Sequence, residues 1–230
     1  MHYFYKIHGL ILKVNFKIFY LDEIKDESII NNDELVEVIE TKNIKKYFPR
    51  ENNWDTSFIK FFKNECILIV NNIVTFYVKD GEYIYWERLN DQVGQKDIIN
   101  FLITSAINIA AIQKGKLILN ATTLFKKESV ITLVGPPCIG KNTIALMLFY
   151  RGWQIISNEA SFLSDSQLVS SGNRSLRIWK NTAITLGINR NKLQNIRSNL
   201  KRYQFKYKKI NLLKPSFKLN KVYFVKGRYQ

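Results

Sequence analysis

One short segment constrains this chain more than any other. Gly135-Pro136-Pro137-Cys138-Ile139-Gly140-Lys141-Asn142-Thr143 follows the apolar run Val130 to Val134 and opens a helix expected over 142–150, ending near Gly152. A strand, a Gly-rich loop, Gly-Lys and a helix in that order form the context in which a P-loop has meaning. Gly135 and Gly140 let the backbone curl so that its N–H groups face inward. The helix N-terminus adds partial positive charge, and Lys141 brings a full charge to the β/γ-phosphates of a nucleotide. Every position from Gly135 to Thr143 is therefore a candidate phosphate contact. The motif places Ser or Thr after the Lys as a magnesium ligand, but here Asn142 stands there, with Thr143 next. An Asn carbonyl oxygen is a larger and poorer substitute for a hydroxyl on Mg²⁺. Cys138 reads as a small residue filling a variable loop position.

Composition narrows the rest. With 46% hydrophobic and 13% aromatic residues, the chain can bury a core, which excludes disorder. Cys66 and Cys138 are the only cysteines, so a disulfide framework is excluded and a reducing, cytoplasmic compartment is expected. His2 and His8 are the only histidines, which leaves no material for a multi-histidine metal site or a Ser-His-Asp triad. Met1 to Tyr20 is apolar but broken by Lys6, Lys13 and Lys17, so no signal peptide is expected. The apolar stretch Ile98 to Ile112 contains Asn100 and Asn108 and falls short of the roughly 20 residues that cross a bilayer. No membrane partner is expected.

Charge is unevenly placed. The chain has 35 Lys+Arg and 19 Asp+Glu, a net charge of +16, yet residues 166–230 hold 16 Lys+Arg and no acid. Such asymmetry points to a polyanionic partner, or to a solvated basic face with no partner.

Along the chain, Tyr3 to Tyr20 reads as two strands separated by a turn at Gly9, the second alternating over Val14 to Ile18. Leu35 to Ile39 is a further strand. Cys66 to Val70 and Ile73 to Val78 read as a hairpin through Asn71-Asn72, and Asp80-Gly81 leads into Tyr83 to Trp86. The first 90 residues are thus expected to be mostly antiparallel sheet. The period then changes. Val93, Ile98, Ile99, Leu102, Ile103, Ala106, Ile107, Ile109 and Ala110 form a helical stripe that Gly115 caps. Leu117 to Leu119 and Val130 to Val134 read as buried strands. The expected division is a β-rich region over 1–95 and a P-loop region with its basic segment over 96–230, the two forming either separate domains or one.

From about Val78 onward the chain resembles the HPr kinase/phosphorylase catalytic domain and the HPr-kinase-like proteins related to it. Its counterparts of the family motifs are Gln113-Lys114-Gly115, Leu119-Asn120-Ala121-Thr122, the loop from Gly135 to Thr143, Arg151-Gly152-Trp153, Ile155-Ile156-Ser157-Asn158-Glu159, and Ser171-Gly172 to Ile178. The order and spacing of these motifs carry the resemblance. It implies an α+β or α/β fold of the HPr kinase/PEP carboxykinase-like type, a P-loop-containing mixed sheet with flanking helices. It also implies ATP and Mg as cofactors, and phosphoryl transfer to a serine of a protein or peptide. The family's hexamers make self-association an analogy to be tested.

The departures fall on the chemistry. The family's first carboxylate, which with a nearby His surrounds the attacking hydroxyl, is here Asn158, and the His position is Asn120. Glu159 keeps the second carboxylate, near magnesium, so Asn142 and Glu159 are the implied metal ligands. Arg174 or Arg177 is placed to stabilise transferred charge. Family members continue past the strand that Phe217 to Val225 resembles, so a shortened copy is expected. Three readings follow. The first is an ATP-dependent protein serine kinase. The second is a non-catalytic nucleotide-binding pseudokinase or degraded copy. The third is a basic nucleic-acid-binding module, in which Tyr203, Phe205, Tyr207, Phe217, Tyr223 and Phe224 interleave with Lys and Arg. Period-two alternation over Tyr203 to Tyr207 argues for an ordinary half-buried strand instead.

Overall fold

Turns at His8-Gly9 and Asp80-Gly81 shape the first of two units, residues 1–117 and 118–230, into which the computed structural model divides. The structure describes residues 1–18, 21, 23–26, 28, 30–49, 58–164, 167–195, 202–205, 207 and 216–227. It is a mixed α+β chain, mostly sheet with few helices.

In the first unit β1 (Tyr3–Ile7) and β2 (Leu10–Val14) form a hairpin in register Ile7↔Leu10. His8 and Gly9 both take positive φ there, 57° and 70°, which fits a two-residue turn between right-twisting strands. The second strand begins directly after Gly9 and stops at Val14, so the alternation expected over Val14 to Ile18 is not a strand. β3 is Leu35–Glu40 and β4 is Ile59–Phe61. β5 (Glu65–Val70), β6 (Val74–Lys79) and β7 (Tyr83–Arg88) complete a seven-stranded sheet of order β1-β2-β3-β7-β6-β5-β4. Asn72, at φ 58°, turns the β5–β6 hairpin. Most pairs are antiparallel, but β3 runs parallel to both β2 and β7.

β7 shows the physics of the two faces. Ile84 and Trp86 are buried, whereas Tyr83 and Tyr85 are half-buried on the opposite face. On that second face Tyr85 pairs across strands with Tyr77, and Tyr47 stacks on Tyr85 with centroids 4.0 Å apart. Cross-strand aromatic contacts of this kind stabilise a sheet by roughly 0.2–1 kcal/mol per pair.

The expected helix is present but interrupted. α1 (Gln95–Phe101) and α2 (Ile107–Gln113) are joined by a π-helical turn over Leu102–Ala106. Ile98, Ile99, Leu102, Ile103, Ala106, Ile107, Ile109 and Ala110 are all buried, and Gly115 ends the helix at φ 73°. Because α2 contacts β6 and β7, the helix belongs to the first unit. The division therefore falls after Leu117, not at residues 95–96 where the period changes.

β8 (Leu117–Leu119), at the division, is not the buried strand expected, since Leu117 is 61% exposed. β9 (Ala121–Lys126), which the sequence reading passed over, and β10 (Ser129–Val134) are antiparallel neighbours. After the loop comes α3 (Lys141–Tyr150), followed by β11 (Gln154–Ser157), β12 (Ser161–Leu163), β13 (Leu168–Ser170) and β14 (Leu176–Trp179). Then follow α4 (Lys180–Thr185), β15 (Leu193–Asn195), β16 (Arg202–Phe205), β17 (Ser216–Lys218) and β18 (Lys221–Phe224). The late strand expected over Phe217 to Val225 is thus two short strands. The sheets are ordered β11-β9-β10-β18, β17-β13-β12-β8 and β14-β16-β15. Ala145 and Leu146 of α3 pack with Leu124, Leu133, Ile155, Leu176, Ile178 and Phe205. β18 lies parallel to β10 at a sheet edge and leaves Phe224 73% exposed. Among the described residues, no helix is long and apolar enough to cross a membrane.

Candidate functional site

The loop from Gly135 to Gly140 leaves β10 at the end where β9 begins, and the Gly135 N–H donates to the Asn120 carbonyl at 3.3 Å. Gly135 has a steric reason to be glycine. A Cβ there would lie 2.9 Å from the Val225 carbonyl oxygen and 3.1 Å from an Ile139 methyl. Pro136, Pro137 and Cys138 are exposed, whereas Gly135, Ile139 and Gly140 are partly covered. Cys138 and Gly140 take positive φ, 63° and 100°, and Gly140 is the N-cap of α3.

Lys141, the first residue of α3, folds back over this loop. Its Nζ donates to the carbonyl oxygens of Gly135 at 2.6 Å and Pro136 at 2.8 Å, and the residue is only 7% exposed. Burial pulls the ammonium below the ordinary lysine range, against the opposing pull of Cys138 and the Glu159 carboxylate. A buried cation held by neutral carbonyls is a strong attractor for an anion.

The remaining candidates have definite partners. Asn142 donates its Nδ2–H to the Arg177 carbonyl at 2.7 Å, which ties the first turn of α3 to β14. Asn158 is buried, and its amide is used at both ends. Oδ1 accepts from the Thr122 hydroxyl at 2.7 Å, and Nδ2 donates to the Ser175 carbonyl at 2.7 Å. Its backbone N–H also donates to the Asn173 carbonyl at 2.6 Å. Asn120 is exposed beside the start of the loop. Glu159, at φ 71° in the turn after β11, forms ion pairs with Arg177 at 3.4 Å and Arg202 at 3.5 Å through the same Oε1. Arg202 also lies over the Trp179 ring, 5.6 Å from its centroid.

Two expectations are corrected. Arg174 does not face a reacting phosphate. It is 3% exposed, and its Nε–H donates to the Ile155 carbonyl, so its role is to hold the segment between β13 and β14. Gln113 and Lys114 belong to the first unit. Gln113 clamps the β6–β7 turn, accepting from the Gly81 N–H at 2.8 Å and donating to the Val78 carbonyl at 3.2 Å. Arg202 and Trp179 were missed. The signal for Arg202 is its place at the start of the period-two run Tyr203 to Tyr207. In antiparallel β14–β16, Arg177 pairs with Gln204 and Trp179 with Arg202. Arg177 and Arg202 are therefore diagonal neighbours on one face.

The donor set does not fit magnesium. Mg²⁺ requires near-octahedral oxygen ligands and is usually held through one or two carboxylates. Among the described residues Glu159 is the carboxylate at this site and is shared by two guanidiniums. The oxygen of Asn158 is engaged by Thr122, and Asn142, whose nitrogen is anchored on β14, adds a single neutral amide oxygen, too few donors for an octahedral ion. Among the described residues, no group of three or more His, Cys, Asp or Glu is arranged to hold a metal ion.

The aromatic residues of the basic segment divide. Phe205 and Tyr207 stack with each other and meet Phe149 of α3 edge-on and tilted, and Tyr207 donates its hydroxyl to the Arg174 carbonyl. Phe217 lies on Phe125. Tyr223 and Phe224 remain exposed. Known proteins add nothing to this geometry: no family model matches the chain, and no curated protein matches it.

Proposed function

We propose that the second unit is an HPr-kinase-like P-loop module that binds the phosphates of a nucleotide such as ATP and does not transfer a phosphoryl group. The observation that carries this reading is Lys141, buried at the N-terminus of α3 and folded over the carbonyls of the loop that leaves β10. An incoming phosphate chain offers that ammonium a charged acceptor, stronger than the two neutral carbonyls. The ten-residue helix α3 adds its N-terminal partial charge.

The protein serine kinase reading asks for more. The attacking hydroxyl of a protein or peptide needs a proton acceptor, and loss of a base lowers rates by roughly 10²–10⁴. Asn158 has no basic oxygen at neutral pH, and its amide is committed to Thr122 and Ser175. Asn120 offers no proton shuttle. The nucleic-acid reading is weakened as well, because Phe205 and Tyr207 are turned into the second unit's own packing. A cytoplasmic, nucleotide-rich setting suits both the reading and the two free thiols.

The test is the stability of the full chain with ATP, ADP and AMP, beside a radiolabelled-phosphate assay. Saturation at about 100 times Kd adds roughly 2.7 kcal/mol to the wild type, and Lys141→Ala loses that gain. Equal shifts in the two proteins remove the reading. Label transfer that Lys141→Ala abolishes restores the kinase.

A further inference from the structure

We propose that phosphate in this loop is held without a metal ion, Arg177 and Arg202 supplying the neutralising charge, with Glu159 as the anion that the phosphate displaces. The inference rests on the nucleotide-binding reading and departs from the family's requirement for magnesium.

Charge balance carries it. The second unit holds 20 Lys+Arg against three acids, Glu128, Glu159 and Asp165, whereas the first holds 15 against 16. One of those three acids, Glu159, sits on the site itself, and its Oε1 meets Arg177 and Arg202 at 3.4 and 3.5 Å. Lys141 stands within reach of the same carboxylate's field. Two guanidiniums thus share one anion, and with the Lys141 ammonium on the loop the residues of the site carry an excess of two positive charges, close to what a bound Mg²⁺ contributes.

Geometry agrees. A guanidinium presents several N–H donors in a plane and matches phosphate oxygens bidentately. Arg177 is fixed by the β14–β16 ladder and by the Asn142 bond to its carbonyl, and Arg202 by the same ladder and the Trp179 ring. The Nε–H of Arg202 is buried and has no hydrogen-bond acceptor. Both guanidiniums are therefore preorganised, which lowers the ordering entropy lost on binding. Glu159 holds the place that a phosphate oxygen takes, a chemically similar acceptor of the same sign.

The experiment titrates the full chain with ATP in magnesium and in EDTA, and with inorganic tripolyphosphate in EDTA, reading the shift in unfolding midpoint and the Kd. The expected Kd for ATP in EDTA is equal to or below that in magnesium. Glu159→Gln keeps the shape, removes the competing charge and tightens tripolyphosphate by roughly fivefold, the effect of one partly screened charge pair. Arg177→Gln and Arg202→Gln each weaken it by roughly tenfold, as loss of a charged hydrogen bond does. Binding seen in magnesium alone overturns the inference and leaves the nucleotide reading standing. So does loss of binding in Glu159→Gln, the result for a metal ligand. No binding under any condition removes the reading and the inference with it.

Discussion

The two units bury different things. In the first, the buried polar or charged residues among those described are His8 and Thr75. In the second they are Thr122, Thr123, Thr132, Lys141, Ser157, Asn158, Ser161, Asn173, Arg174 and Ser175. The hydroxyls form a chain, Thr132 to Thr123 at 2.8 Å, Thr123 to Ser161 at 2.8 Å and Ser161 to Ser157 at 2.7 Å. A second chain runs from Thr122 through Asn158 to Ser175. An apolar core of the same volume is often at least as stable as a satisfied polar one, and a half-satisfied network is worse than either. The first unit is held by apolar faces and tight turns, and the second gives up part of that advantage to fix backbone around the loop. Its interior polar groups hold β11, β14 and the buried segment 172–175 in place, and from these project Glu159 and Arg177.

The largest expected effect tests the polar side of this comparison. Asn158→Asp supplies the carboxylate carried by the kinase family that the sequence resembles, so a reading based on missing catalytic groups expects a gain. The structure expects a loss. The new carboxylate has no N–H for the Ser175 carbonyl and brings a charge into a site where Asn158 is 1% exposed. An uncompensated buried charge destabilises by about 4 kcal/mol. Urea denaturation of wild type and variant, followed through second-unit Trp153 and Trp179, measures it. A variant as stable as wild type would show that Asn158 is replaceable and the network incidental.

Next in size is the pH response of the first unit, where His8 is one of the two buried polar residues described. Burial pushes its imidazole down to about 3 from an ordinary value of 6.5. The folded state therefore binds fewer protons than the unfolded chain between those values, and stability rises with pH across that window. The contribution is fully present above pH 6.5 and is lost as pH falls toward 3. Between pH 6.5 and about pH 4 the loss amounts to roughly 3 kcal/mol. His8→Asn keeps a residue that tolerates the φ of 57° and lacks the titrating group. Denaturation of both proteins across this range should show the stability difference between them change sign or shrink as the pH drops. A constant difference would mean that His8 takes up a proton without leaving its site.

The same contrast explains what was legible in the sequence. Turns were legible because His8-Gly9, Asn72 and Asp80-Gly81 are residues that tolerate positive φ, and the chemistry of a turn is local. The helical stripe was legible because eight of its nine named positions are buried, Val93 being partly covered. The parallel pairing of β3 was not, since a short alternating strand carries no record of its neighbours' direction. Likewise Leu117 to Leu119 is apolar, and only tertiary context exposes it. In the second unit the strand, loop and helix around Lys141 are one contiguous signal. The partners of Glu159 are not, because Arg177 and Arg202 meet only through the β14–β16 ladder. Asn158 reads as a damaged catalytic position in the sequence and as a satisfied structural amide in the fold. Spacing alone cannot separate those two.

The smallest effect sharpens the claim that turns and apolar packing hold the first unit. Gly81 sits at φ 69° in the β6–β7 turn, and an added Cβ would lie 2.7 Å from the Lys114 Cγ and 2.8 Å from the Ala110 carbonyl oxygen. The lysine chain can swing away. The Ala110 carbonyl cannot move without its helix, because it accepts the Lys114 N–H in the last turn of α2. Gly115, at φ 73°, has open space where its Cβ would be. Gly115→Ala therefore carries the conformational term alone, about 1 kcal/mol. Gly81→Ala adds overpacking against α2 and should reach about 2 kcal/mol. Denaturation of the two variants side by side isolates the contact between turn and helix. Equal losses would show that α2 yields to the turn, and that the sheet's register depends on its strands more than on the helix pressed against their connection.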